Sequence, residues 1–311
     1  MQDQINKPVF VVGSPRSGTS ILAWCLGQHP NMFPVPESNW MGQFAINVAI
    51  SYEIGSARGD RSLLSGMDIR REEFFANFGR SINELILAHR RDLERKRKMT
   101  RPSAEPKTRW VNQTPEYSLH ICGLRRLFPD ALFVHICRDV RAVVRSMLNF
   151  HRVWGVQLVA NEEKAYEYWL RTVSACINAE EAYGPNVVYR LRYADLVSNP
   201  ESAMHSLLNF LHEPYTAKCL EPLGRRINSS NVPDDFVADD PATDPALVAH
   251  ATRLSAELET NPQSSEPSPA AADALEIEFQ QRTQYVAALD KTYKETERLI
   301  RVLEKQNRGC D

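Results

Sequence analysis

The run Lys7 to Cys25, KPVFVVGSPRSGTSILAWC, limits what this chain can fold into more than any other stretch. Val9 to Val12 is apolar throughout, β-branched and aromatic, the pattern of a strand buried on both faces. Gly13 to Ser20 is a turn of small residues with one cation, Arg16, and Ile21, Leu22, Trp24, Cys25 and Leu26 then recur at helical spacing. A strand, a glycine-bearing loop and a helix in that order aim backbone N–H groups and the positive end of a helix dipole at an anion. Gly13 and Gly18 let the backbone come close because no Cβ stands in the way. The plainer alternative is a tight strand-to-helix turn with an incidental arginine.

Gly13 and Gly18 have the spacing of the phosphate loop G-x-x-x-x-G-K-[ST], but its lysine is absent. Thr19 and Ser20 follow Gly18 directly, and the cation is Arg16, inside the loop. A guanidinium suits a planar, two-pronged grip on phosphate or sulfate oxygens, and Thr19 and Ser20 add hydroxyl donors at the helix start. A second run, Ala131 to Ser146, again reads as buried strand, turn and helix, a second unit of a parallel sheet. Arg138 closes that strand and Ser146 lies eight residues on. A cation at a strand end facing a helix start suits a phosphate; Arg141 and Arg145 alternatively form surface pairs with Asp139 or glutamates.

Pro15-Arg16-Ser17-Gly18-Thr19 after an apolar strand resembles the phosphosulfate loop of the PAPS-dependent sulfotransferases. The branch it is similar to holds tyrosylprotein and many bacterial and carbohydrate sulfotransferases, and the resemblance covers residues 8 to about 232. It implies that Arg16, Ser17, Gly18, Thr19 and Ser20 hold the 5′-phosphosulfate of 3′-phosphoadenosine 5′-phosphosulfate (PAPS), and that Arg138 and Ser146 hold its 3′-phosphate. It implies Glu37 as catalytic base, at the branch's distance from the loop arginine; the residues alone read as a solvated carboxylate in a proline-rich loop. An acceptor hydroxyl must lose its proton as it attacks sulfur, so the chemistry demands such a group. Tyr193 opens a stretch similar to the family's tyrosine-glutamate-x-leucine, with Ala194 in place of the acidic residue, and is implied near the adenine; a core tyrosine is the alternative. Ser229, in the polar loop 225–231, is implied as a late closure of the nucleotide site. Gln113 departs from the family pattern, which has a lysine there to stabilise charge on the transferring group; Lys107 and Arg109 are its neighbours in sequence.

The formal net charge of −2, with mixed signs, points away from a nucleic-acid partner. Six cysteines without C-x-x-C pairs or zinc-ligand spacing suit reduced thiols in the cytoplasm, and no motif requires a metal. The absence of a signal-peptide pattern and of any run long enough for a membrane span predicts a soluble intracellular protein with no membrane partner. His151 and Trp154, just beyond the second motif, are candidates to line an acceptor pocket or to pack.

The expected fold is α/β: a P-loop-like central parallel sheet flanked by helices, with a helical insertion and a long C-terminal helix. The expected layout is a sulfotransferase domain over 1–260 with its insertion at about 41–105, a linker at 261–272, and a helix over 273–311. Phe74, Phe75, Phe78, Ile82, Leu85, Ile86 and Leu93 form a helical stripe in the insertion, followed by the basic run His89 to Lys98, read as a solvated helix end or a guide for an anion. In the last helix Leu275, Phe279, Val286, Leu289, Tyr293, Ile300 and Leu303 lie near heptad spacing, interrupted by Arg282 and Thr296; docking on the core and a homodimer contact both fit. The expected activity is transfer of the sulfuryl group from PAPS to a hydroxyl or amine on a small-molecule or carbohydrate acceptor, with 3′,5′-bisphosphate (PAP) released. The alternatives are a P-loop kinase or NTPase, with Asp139 on Mg²⁺, and a 3′-phosphoadenosine-binding protein of altered catalysis.

Overall fold

Strand β1, Val9–Val12, lies at the centre of a five-stranded, all-parallel sheet. A computed structural model of the chain describes residues 7–96, 107–224 and 232–308. The other strands are β2, Met32–Pro34, β3, Arg109–Asn112, β4, Leu132–Cys137, and β5, Val188–Arg192, in the order β2-β3-β1-β4-β5. All of β1, β3 and β4 is buried, as expected of a parallel sheet covered on both faces.

The helices are α1, Thr19–Gly27, α2, Trp40–Ser56, α3, Leu63–Gly66, and α4, Arg71–Lys96; then α5, Ile121–Leu127, α6, Val140–Leu148, α7, His151–Trp154, and α8, Glu162–Tyr183. After β5 come α9, Tyr193–Ser198, α10, Pro200–Phe210, α11, Pro245–Thr260, and α12, Pro269–Arg308. Alternation along β1 sends its side chains to two cores. Phe10 and Val12 join Phe33, Trp110 and Phe133 under α2, α5 and α8, with Phe10 and Phe133 stacked at 5.2 Å. Val9 and Val11 join Met32, Val111 and Val134 over α1 and α10. Each such side chain contributes about 1.5–3 kcal/mol relative to exposure. A third cluster joins α6, α8 and α11 through Val143, Val144, Trp169 and Leu258.

The chain leaving β1 runs through α1 to β2 at one edge, and the chain leaving β4 runs through α6 and α8 to β5 at the other. The carboxyl ends of β1 and β4 therefore flank the switch point of the sheet, where α/β proteins open a crevice for ligands. β2 was not foreseen: three residues ending in a proline carry little strand signal, and proline is tolerated here because β2 is an edge strand. Between β3 and α5 runs a 3₁₀ segment, Pro115–His120.

Helix α12 starts at Pro269, ahead of the expected 273. The segment before it is tied to the sheet: Gln263 Nε2 donates to the Val188 carbonyl at 2.6 Å, and Oε1 accepts from Arg190 N at 2.9 Å. The first half of α12 docks through Leu275, Phe279 and Val286. Arg282, an interruption in the heptad pattern, donates to the Leu119 carbonyl at 2.6 Å and so belongs to the docked face. Further along, Leu289, Tyr293 and Ile300 are exposed. The basic end of α4 is described as far as Lys96, with His89 and Arg95 paired to Asp92; the rest of that run lies outside the described residues.

Candidate active site

The loop after β1 turns on three residues with positive φ, Gly13 (140°), Arg16 (70°) and Gly18 (107°). A Cβ on Gly13 would stand 2.5 Å from the Ile136 carbonyl oxygen, and one on Gly18 would stand 2.6 Å from Tyr193 Cδ2. Both glycines are thus required by contact as well as by backbone conformation. Ser118, 105 residues away, accepts from Gly13 N at 2.9 Å and closes the loop from the side of β3. Gly18 precedes α1 without a side-chain cap, which leaves the first N–H groups of α1 turned toward the crevice.

Within this loop Ser17 is fully buried, and its Oγ has no hydrogen-bond partner among the described residues. A buried hydroxyl without a partner is costly, and beside an uncapped helix start it fits an anion held by the loop. Thr19 is also buried, while Ser20 is exposed and hydrogen-bonds Glu37.

Arg16 links this unit to the second. Its Nε donates to Ser146 Oγ at 3.2 Å, and its own carbonyl accepts from Arg138 Nη1 at 3.1 Å. The Arg138 guanidinium lies over the Tyr193 ring, 4.5 Å from its centroid, and that ring also faces Gly18. Arg16, Gly18, Arg138, Ser146 and Tyr193, picked out from separate stretches of sequence, thus stand in one cluster at the carboxyl ends of β1 and β4. Burial, then the neighbouring Arg138, pulls the Arg16 pKa below the ordinary arginine value, with Glu37 acting the other way. Two adjacent cations in a partly buried crevice call for an anionic ligand.

Glu37 stands near Arg16, in the loop between β2 and α2. Thr114, just past β3, pins that loop: its Oγ1 accepts from Ser38 N at 2.9 Å. Tyr117 does the same for the start of α2, its Oη accepting from Met41 N at 3.2 Å. Surrounding protein, then the like charge of Glu116, pushes the Glu37 carboxyl above the usual range, against the opposing pull of Arg16 and of the Ser20 hydrogen bond. Glu116 is itself held by Tyr168, whose Oη donates to Oε1 at 2.7 Å.

Gln113 sits just beyond β3 with its Oε1 buried and without a hydrogen-bond partner among the described residues. Lys107 and Arg109 do not substitute for a lysine there. They lie toward the amino end of β3, where Lys107 Nζ bonds the Gly27 carbonyl at 2.6 Å and Arg109 bonds the Leu211 carbonyl and Glu213. Asp139 caps α6, accepting from Ala142 N at 2.8 Å. Arg145 donates from Nη2 to the Pro233 carbonyl at 3.1 Å. Ser229 lies outside the described residues. His151 and Trp154 are exposed, whereas Phe150, unmarked in the sequence, is under the Arg16 guanidinium at 5.2 Å. Ser118, Thr114, Glu116 and Tyr168 are likewise visible only once distant segments are folded together.

The model of the sulfotransferase family matches residues 8–217, about two thirds of the chain. A putative protein-tyrosine sulfotransferase of Caenorhabditis briggsae is 25% identical over 71% of this chain and 70% of its own length. Protein-tyrosine sulfotransferase 1 of Mus musculus is 25% identical over 68% of this chain, which spans only 53% of that relative. Among solved structures, the sulfotransferase domain from the curacin biosynthetic pathway aligns over 88% of this chain and 98% of its own with a TM-score of 0.44 and 17% identity. Among the described residues no helix is long and apolar enough to cross a membrane, and no three His, Cys, Asp or Glu side chains converge as a metal site.

Proposed function

Since the chain belongs to the sulfotransferase family, we propose that it moves the sulfuryl group of PAPS to a hydroxyl or amine on a small-molecule or carbohydrate acceptor and releases PAP. The observation that carries this is the cluster in which Arg138 bonds the Arg16 carbonyl while Arg16 bonds Ser146. It joins two phosphate-type units, one for each end of a nucleotide phosphorylated at both 3′ and 5′ positions.

PAPS supplies the activated sulfuryl group. The loop N–H groups, Arg16 and the hydroxyls of Ser17, Thr19 and Ser20 take its 5′-phosphosulfate end; the unpartnered Ser17 Oγ and the Cβ-free approaches at Gly13 and Gly18 support that fit. Arg138 and Ser146 take the 3′-phosphate, and Tyr193 lies beside the adenine. Glu37 accepts the acceptor proton as the new sulfur–oxygen or sulfur–nitrogen bond forms. The bond from sulfur to the bridging oxygen breaks, its electron pair leaves with the 5′-phosphate, and Arg16 stabilises the charge that builds there. Gln113 brings an amide, not a charge, so Arg16 carries more of this stabilisation than in an enzyme with a lysine at that position.

The kinase reading lacks the lysine after Gly18 that would meet the β- and γ-phosphates. Binding without catalysis would not require a carboxylate held at Glu37 by Ser20 beside Arg16. The five free cysteines among the described residues support a reducing, cytoplasmic setting. The exposed Leu289, Tyr293 and Ile300 extend the docked seam of α12 and support a homodimer through that helix; light scattering across a dilution series tests it, a monomer at all concentrations counting against it. Transfer itself is tested by mass spectrometry with PAPS and an acceptor panel: a gain of one sulfuryl group and stoichiometric PAP support it, and PAP release with no sulfated product counts against it.

A further inference from the structure

The helical insertion carries a strip of aromatic rings that the transfer chemistry does not use. It starts at Trp40, three residues after Glu37, and runs through Phe44 on α2 to Phe78 and Phe74 on α4. Ring centroids are 5.9 Å apart from Trp40 to Phe44, 5.8 Å from Phe44 to Phe78 and 5.0 Å from Phe78 to Phe74. Core packing explains Phe44 and Phe74, which are partly covered, but not the open end, where Trp40 is 47% and Phe78 39% exposed. Contiguous exposed apolar surface marks interaction and ligand sites, and this one begins three residues from Glu37.

Cations stand at the far end of the strip, where Arg70 and Arg71 precede Phe74 by one helical turn and Arg71 pairs with Glu53 at 3.9 Å, whereas the sequence from Ser38 to Tyr52 carries no charge. The chain has no lysine or arginine from Met32 to Ala57, and the polar flank of α2 is amides, with Gln43 Nε2 donating to Asn47 Oδ1 at 3.3 Å. On α4 the stretch from Phe74 to Gly79 has no charge, and the next residue, Arg80, turns to Asn77 Oδ1 at 3.2 Å. Toward the base, Glu37 precedes Trp40 by three residues and stands near the like charge of Glu116. An acidic acceptor approaching the base would meet like charge at Glu37 and Glu116, with Arg70 and Arg71 only at the other end of the strip; an apolar one would gain by covering rings.

We propose that Trp40, Phe44 and Phe78 form the subsite for the acceptor's apolar body, so that the acceptor is an uncharged, elongated hydrophobic alcohol rather than an acidic tyrosine peptide or an anionic sugar. This rests on the sulfuryl-transfer reading. The alcohol reaches Glu37 with its hydroxyl while its chain lies along α2 toward α4. Rings at this spacing accept successive segments of a chain without demanding one shape, so length governs affinity.

The test is steady-state transfer from PAPS to primary alcohols from butanol to decanol, beside a tyrosine peptide flanked by aspartates. PAP-induced thermal shift and light scattering are recorded on the same samples. The expected kcat/KM rises by about twofold to fourfold per methylene while the chain is being covered, and the peptide is the poorer substrate. Trp40→Ala and Phe78→Ala flatten that slope and keep the PAP-induced shift; Phe78→Leu, which keeps an apolar side chain, retains most of the slope. A slope independent of chain length, or preference for the acidic peptide, in a protein that still binds PAP overturns this inference alone. A dimer that Trp40→Ala or Phe78→Ala dissociates also overturns it, by showing that a second copy covers the strip. Absence of any PAP-induced shift overturns the transfer reading and the subsite with it.

Discussion

Arg138 donates from Nη1 to the main-chain oxygen of Arg16 across 3.1 Å, although the two residues are 122 positions apart. That bond sets the end of β4 against the loop after β1, and the ring of Tyr193 completes the corner by facing Arg138 and Gly18 together. It fixes the backbone of an arginine whose φ of 70° is unfavourable for any residue with a Cβ. The same guanidinium that steadies the loop is the one proposed to hold the 3′-phosphate.

Replacing Arg138 by methionine removes that cation while keeping most of the side chain's bulk. A charge-assisted hydrogen bond is worth about 1.5–3 kcal/mol, so PAP affinity by calorimetry is expected to fall about tenfold to a hundredfold. Adenosine 5′-phosphate, which lacks the 3′-phosphate, is expected to lose far less. Equal losses for the two nucleotides would place the 3′-phosphate elsewhere.

Glu37→Gln keeps the shape of the loop and removes the proposed base. Turnover is expected to drop by about two to four orders of magnitude, with PAP affinity retained. Turnover near the parent rate would remove Glu37 from the mechanism.

The pH profile follows from the pair of carboxylates. Only ionised Glu37 accepts a proton, and its carboxyl titrates above the usual glutamate range because of its surroundings and of Glu116. The acid limb of kcat/KM is therefore expected above about pH 4.3, the ordinary glutamate value, with activity lost as pH falls through it. Glu116→Gln removes the like charge and is expected to move the limb to lower pH. A limb that stays in place or moves upward would show that Glu116 does not act on Glu37.

Stability has its own acidic dependence at the buried junction of β4, α8 and β5. His135 Nδ1 lies 2.5 Å from Glu180 Oε1, and Arg190 Nε donates to both oxygens of Glu180 at 3.2 and 3.0 Å. Burial pushes the Glu180 carboxyl upward, but the bonds from His135 and Arg190 outweigh it and hold the carboxyl below its usual value. A carboxylate depressed in the folded state contributes stability above its unfolded pKa, about 4.3, and that contribution is lost as pH falls through the folded value. Glu180→Gln is expected to cost about 3–5 kcal/mol at neutral pH, with the gap to the parent narrowing below pH 4.3 in urea titrations. Equal stability at pH 7 would contradict this role.

The sheet centre was legible because its information is local: an unbroken apolar run in β1, glycines where the backbone must pass within contact distance, and Arg138 eight residues ahead of Ser146 across the cap of α6. The edge strand β2 was not, since three residues ending in Pro34 have no pattern of their own and take their conformation from β3. Nor were Ser118, Thr114 and Tyr168, whose roles are hydrogen bonds to segments more than fifty residues away. Lys107 and Arg109 show the reverse case. Closeness in sequence to Gln113 suggested cations for the site, but a strand's length of extended backbone carries Arg109 toward the other end of the sheet, to Glu213.

Thermal shift with PAP, set beside ATP with and without Mg²⁺, tests the central claim most directly. Ligand at a hundred times its dissociation constant stabilises the folded state by about 2.7 kcal/mol. The account predicts a rise of several degrees in Tm with PAP, independent of Mg²⁺, and little with ATP. A rise confined to ATP with Mg²⁺ would contradict it.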